Sequence, residues 1–281
     1  IGYTYTTGLP AVWLMVGWLL GDFIMSSFIH RRLRERTANT GQNTFPGVLA
    51  NWYGTDFRTY RRLAGLICFI FLGAYAAAQL NAGSKALHVL FDWPLWAGAV
   101  IGAVIVIAYC FAGGIRAAIW TDAAQAIVMI VAMFLMLWVA VDHLGGFGVT
   151  WQKLNQVSPD YMDLWPGAVA GLASPWGPAL FIVGWLFAGF SVIGQPHIMI
   201  RFMSLDSAAS TNRARVYYYS WYVVFYLVAN SVGLLSRLLI PETEAFDPEL
   251  ALPTLAVQLL PPVLVGVVLA GVFAATISTG D

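Results

Sequence analysis

Long gaps between charged residues are the strongest constraint on what this chain can fold into. Asp, Glu, Lys and Arg are absent from residues 1–21, 63–84, 93–115, 123–141, 164–200, 216–236 and 250–280, which makes seven uncharged stretches. A helix crossing the hydrocarbon of a bilayer needs about 20 mostly apolar residues, so each stretch is a candidate span. None alternates over about 10 residues as a membrane β-barrel strand does. Only 10% of the 281 residues are charged and 59% are hydrophobic, against about 25% charged in soluble domains. The mean hydropathy is +0.73. An ordinary water-soluble enzyme is excluded, and the expectation is an all-α polytopic membrane protein. Its seven transmembrane helices are expected near 9–29, 63–90, 95–113, 119–142, 177–195, 214–238 and 256–280. The segment 143–176, broken by Pro159, Pro166 and Pro175, is not expected to span.

The balance of 14 basic and 14 acidic residues leaves no global field for nucleic acid, so charge information is positional. Alternating seven spans gathers Arg31, Arg32, Arg34, Arg36, Arg58, Arg61, Arg62, Arg116, Arg201, Arg213 and Arg215 on one side. Lys85, Lys153 and Arg237 fall on the other, with Asp160, Asp163, Glu242, Glu244, Asp247 and Glu249. Basic residues near span ends stay cytoplasmic, so the first helix is expected to run from outside to inside. The Arg31–Arg36 run then reads as a topological anchor. The two cysteines, Cys68 and Cys110, lie in apolar runs and suit neither a disulfide framework nor a Cys/His metal site.

Polar residues inside spans usually face a pathway. Asp122 begins a span within Trp120-Thr121-Asp122, Tyr75 and Gln79 lie one turn apart, and Ser278 and Thr279 close the last span. Each has a plainer role open to it. Thr121 or Asp122 could cap a helix, Tyr75 and Gln79 could bond between helices, and Ser278 and Thr279 could return their hydroxyls to carbonyls one turn back. Gly271, Ala275, Ser278 and Thr279 share one helical face. The Ala275 carbonyl and two hydroxyls make half a shell of neutral oxygens for a hard monovalent cation, and a second helix must supply the rest. Gly184, Gly189 and Gly194 recur every five residues before Gln195-Pro196-His197. That pattern suits a discontinuous transporter helix and equally a packing face with a proline stop. His197 has no second ligand at metal spacing and reads as an interfacial histidine.

These residues resemble the sodium/solute symporters, and in particular their proline-carrying members. The resemblance runs from about residue 9 to the end. It rests on Gly113-Gly114 followed by Trp120-Thr121-Asp122-Ala123-Ala124-Gln125, on Gly145-Gly146-Phe147-Gly148 and on Ala274-Ala275-Thr276-Ile277-Ser278-Thr279. Its most specific stretch is Gly194-Gln195-Pro196-His197-Ile198-Met199-Ile200-Arg201-Phe202-Met203. The resemblance implies two inverted five-helix repeats with flanking helices, binding sodium and solute near the midplane. It implies Ala275, Ser278 and Thr279 as sodium ligands, Asp122 on the cytoplasmic sodium route and Tyr75 lining the solute pocket.

Compared with the family, residues 1–281 are expected to form a single transmembrane transporter domain, incomplete at both ends. The first core helix, bearing the other half of the sodium site, is absent, and the chain stops within the helix carrying the second half. Where the proline carriers place a Trp and a Tyr before Gly-Gln-Pro-His, an ungapped match gives Ala188 and Val192. Trp185 and Phe190 are the nearby substitutes in a longer unwound segment, and the solute pocket is expected where Tyr75 faces the unwound end of the 177–195 helix, near Trp185, Gly189 and Phe190. The implied function is sodium-coupled import of a small organic solute, proline first, by alternating access in a bacterial inner membrane. Sodium is the coupling ion and no other cofactor is expected. Another amino acid or a small carboxylate is the alternative solute. A symporter-like sensory domain fused to a cytoplasmic kinase is the alternative class, which a nucleotide site following residue 281 would mark. No nucleophile, base and orienting acid converge in any segment, so no enzymatic chemistry is expected.

Overall fold

A computed structural model describes residues 1–165, 176–241, 243 and 246–278, apart from the side chains of Leu90, Tyr109 and Ile277. The described residues form helices and turns, with no strand among them. In chain order the helices are α1 (Gly2–Thr7), α2 (Val12–Thr40), α3 (Phe45–Ala50), α4 (Arg58–Phe91), α5 (Leu95–His143) and α6 (Phe147–Leu154). They continue with α7 (Gly177–Phe190), α8 (Pro196–Met203), α9 (Thr211–Leu239), α10 (Ala251–Leu259) and α11 (Pro262–Ile277). Five segments are long and apolar enough to cross a membrane, at Leu9–Thr40, Arg58–Val89, Cys110–His143, Gly177–Gly194 and Ala208–Leu239, and Leu95–Ala108 and Pro262–Thr276 are shorter apolar helices. Their outward faces are apolar, as at Phe69, Phe71, Ile107, Phe111 and Trp138, all strongly exposed. Such faces need lipid rather than water around them, and the chain is a multi-pass membrane protein.

Three helix boundaries depart from the sequence reading, each for a local reason. The first helix continues from residue 29 to Thr40, because Arg31–Glu35 are good helix formers. Hydropathy marks where apolar character ends, not where the helix ends. The expected helix 256–280 is divided into α10 and α11, with Leu260 extended at φ −110, ψ 146 and Pro262 in the first turn of α11. A residue before proline is pushed away from the helical region, and here Pro261 and Pro262 follow each other. The gap expected at 114–118 is confined to Gly114, at φ 53, ψ −150 inside α5. Only glycine adopts that conformation without strain.

The chain divides into two compact units. The first comprises Ile1–Trp13, Ala76–Pro178 and Val224–Asp281. Its core joins Met133 and Met136 of α5 with Val228 and Val232 of α9, Leu252 and Leu255 of α10, and Val265, Val268 and Leu269 of α11. Small residues let these helices approach closely, as membrane helices generally do. A Cβ on Gly271 would lie 3.0 Å from the Ala132 Cβ, and one on Gly83 would lie 2.6 Å from the Thr276 hydroxyl. Lys85 donates to Asp247 at 2.8 Å and to Glu249 at 2.5 Å, tying together charges that the sequence placed on one side. This contact holds the Asp247 carboxyl below its ordinary range. Phe147–Leu154 is the described helix between residues 143 and 165, too short to span.

The second unit comprises Leu14–Tyr75 and Ala179–Val223. Leu33, Phe45 and Val48 pack on Met199, Phe202 and Met203, and Arg34 donates to the carbonyls of Leu205 and Asp206. Segments 30–62 and 196–213, grouped by the basic-residue count, therefore lie together. Here α2 and α7 meet backbone to backbone. A Cβ on Gly21 would collide with the Leu186 carbonyl, and one on Gly189 with the Trp18 carbonyl and, at 2.9 Å, the Asp22 amide.

Candidate functional site

In the first unit, α11 carries the expected oxygens to its C-terminal end. Gly271 is buried against Ala132 and Met129 of α5, so it sets helix spacing. Ala275 and Ser278, further along, are half-buried. The Ser278 hydroxyl returns to the Ala275 carbonyl at 3.3 Å, long for an O–H···O bond, whose usual range is about 2.5–3.0 Å. Thr276 is buried and donates to the Phe273 carbonyl at 2.9 Å, so its hydroxyl is structural. Thr279 lies outside the described residues.

Asp122 stands on α5, the helix against which Gly271 packs. It is half-buried. Neither it nor Thr121 is an N-cap, because α5 is helical from Ile115 past both. Thr121 donates instead to the Ala117 and Ala118 carbonyls, each at 2.9 Å. The capping role open in the sequence is thereby removed.

In the second unit α7 tightens into a 3-10 turn over Ser191–Gly194. It is then interrupted at Gln195, extended at φ −91, ψ 108, before Pro196 opens α8. The three glycines do not share a role. A Cβ would meet nothing within 4 Å at Gly184 or Gly194, whereas Gly189 is consumed by the crossing with α2. Tyr75 of α4, 40% exposed, stacks on His197 immediately beyond the interruption, with ring centroids 5.3 Å apart at 29°. Trp185 meets Trp18 and Phe181, and Phe190 meets Phe187. Tyr75 is thus brought to the broken segment, while Trp185 and Gly189 are engaged along the α2–α7 contact.

A polar cluster in this unit went unrecognised in the sequence. Asp22, Ser26 and His30 occupy one face of α2 and are fully buried, and Arg215 and Tyr219 of α9 reach that face. Their four-residue spacing was a usable signal. It was hidden because Asp22 served only as the end of an uncharged run.

The sodium:solute symporter family model matches residues 1–281. The chain is 30% identical over 283 residues to the high-affinity proline transporter PutP of Bacillus subtilis, covering 99% of this chain and 58% of that protein. It is 32% identical over 282 residues to sodium/proline symporters of Staphylococcus aureus strains, covering 99% of this chain and 53% of those proteins. The chain spans about half the length of the curated relatives it matches.

Proposed function

From the premise that the chain belongs to the sodium:solute symporter family, we propose that it is the transporting part of a sodium-coupled symporter for a small organic solute, with proline as the leading substrate. The family match over residues 1–281 carries this reading, and the relatives named as proline transporters favour the substrate. Sodium is the coupling ion, the spans belong to two inverted five-helix repeats, and the protein works by alternating access in a bacterial inner membrane. The test is uptake by the intact protein in proteoliposomes under an inward sodium gradient, scanned across proline, other amino acids and small carboxylates. Proline is expected to accumulate most, and a sodium-driven preference for a carboxylate would reassign the substrate.

Ala275, Ser278 and Thr279 contribute the α11 half of the sodium site. Hard cations of this size hold oxygens at about 2.3–2.6 Å, and adjacent ligands of such an ion lie a little over 3 Å apart. The 3.3 Å separation of the Ala275 carbonyl and Ser278 hydroxyl suits that spacing. Asp122 supplies a local negative charge on the release route. Asp122→Asn keeps the size and removes the charge, so it is expected to weaken apparent sodium dependence or slow turnover while insertion stays normal. Unchanged sodium kinetics would remove Asp122 from the route.

The solute binds where α7 is interrupted, with Tyr75, Trp185 and Phe190 as aromatic walls and Gly189 holding α7 against α2. Exposed backbone groups of a broken helix suit the charged ends of an amino acid, and aromatic walls suit a compact apolar ring. Tyr75→Ala is expected to raise the half-saturation concentration for proline several-fold while leaving that for sodium nearly unchanged. Equal effects on both, or unfolding alone, would make Tyr75 a packing residue.

Orientation follows the basic residues. Arg34→Cys and Arg201→Cys on a Cys-less background should be shielded from an impermeant thiol reagent applied outside, and Asp160→Cys should react. External labelling at residue 34 would reverse the topology.

A further inference from the structure

The buried polar cluster between α2 and α9 belongs to neither the sodium half-site nor the broken helix. Asp22, Ser26 and His30 stand at successive four-residue steps on α2, with at most 1% of their surface exposed. Neither carboxylate oxygen of Asp22 has a hydrogen-bond partner, and no ion pair to it occurs among the described residues. The groups that face it are the hydroxyls of Tyr218 and Tyr219 and the guanidinium of Arg215, all from α9. On its own helix Ser26 and His30 follow, and α7 presents Gly189, which has no titratable group.

Arg215 and Tyr219 direct hydrogens to acceptors other than Asp22. Arg215 donates to Ser26 at 3.1 Å, to Ser27 at 2.6 Å and to the Phe23 carbonyl at 3.3 Å. Tyr219 donates to Ser26 at 2.7 Å, and Ser26 donates to the Phe23 carbonyl at 3.0 Å. A hydroxyl has one hydrogen and two lone pairs, so Ser26 is full and Tyr219 retains only the capacity to accept. An isolated ionised carboxylate buried among apolar groups is very costly unless hydrogen-bonded. The Tyr219 hydroxyl can serve a protonated Asp22 as an acceptor without breaking its bond to Ser26. To serve an ionised Asp22 it would have to turn its hydrogen away from Ser26.

We propose that Asp22 is a proton-binding site between α2 and α9, occupied in this conformation, where the neutral acid has only to turn toward the Tyr219 hydroxyl to continue the chain through Ser26 to the Phe23 carbonyl. The carboxylate takes up one proton from the aqueous phase and becomes the acid, and no other bond changes. Release of that proton reverses the Tyr219 hydroxyl and loosens the α2–α9 contact, making the transport cycle sensitive to pH. This last consequence rests on the transport reading, whereas occupancy of the site does not.

Infrared spectra of the intact purified protein at neutral pH test occupancy. A carboxylic-acid carbonyl band is expected in the wild type, lost in Asp22→Asn and shifted in Tyr219→Phe. A band identical in the wild type and Asp22→Asn would overturn the proposal. Should Asp22→Asn fail to fold, an unshifted band in Tyr219→Phe would overturn it. In sodium-driven proline uptake, the wild-type rate is expected to fall as pH rises, and Asp22→Asn is expected to flatten that profile. An unflattened profile would overturn the pH coupling. Absence of uptake at every pH would instead overturn the transport reading, with the infrared band still deciding Asp22.

Discussion

Ser278→Ala is expected to lower sodium affinity roughly tenfold to a hundredfold with little change in stability. The Ser278 hydroxyl is half-buried and its bond to the Ala275 carbonyl is long, at 3.3 Å, so that bond adds little to the fold. A bound ion loses more. A neutral oxygen facing a full charge contributes about 1.5–3 kcal/mol, and about 1.4 kcal/mol is a factor of ten in affinity. Thr279→Ala should behave similarly if its hydroxyl is the companion ligand. The measurement is the sodium concentration giving half-maximal proline uptake by the intact protein, with thermal stability followed in parallel. A large loss of stability with normal sodium dependence would make Ser278 a helix-terminal packing residue.

Gly189→Ala is expected to have the largest structural effect. Its new Cβ would be driven into the Trp18 carbonyl and within 2.9 Å of the Asp22 amide. Both are backbone atoms of α2, so no side chain can turn aside. Overpacking of this kind costs about 1–3 kcal/mol, and here relief requires the helices to separate. Gly21→Ala should be equally severe, since its Cβ would strike the Leu186 carbonyl. The contrast lies within the same glycine series. Gly184→Ala meets nothing within 4 Å and should be neutral or stabilising, because alanine favours a helix over glycine by about 1 kcal/mol. Thermal unfolding of the detergent-solubilised variants separates the cases. Equal tolerance at residues 184 and 189 would contradict the close α2–α7 crossing.

The sequence revealed the helices where chemistry is local and missed what depends on distant partners. The uncharged stretches and the helix stop before Pro196 were legible because bilayer thickness and the proline ring act at the residues themselves, whereas the kink at Gly114 was read as a gap over 114–118. The division at Pro261-Pro262 was equally local, and reading hydropathy alone passed over it. The different fates of Gly184 and Gly189 were not legible, because five-residue spacing does not say which glycine meets Trp18. The buried face of Asp22, Ser26 and His30 depends on Arg215 and Tyr219, nearly 200 residues further along the chain. Tyr75 stood out in the sequence as a polar residue inside a span, the resemblance alone suggested a pocket role for it, and its stack on His197 emerged only from the fold.

The central claim is that solute and sodium cross together. Radiolabelled sodium influx into proteoliposomes bearing the intact protein tests it most directly. With sodium outside and no other driving force, external proline should stimulate sodium entry, and Ser278→Ala should reduce that stimulation at sodium concentrations that just saturate the wild type. Proline entry with no proline-dependent sodium influx would contradict the account.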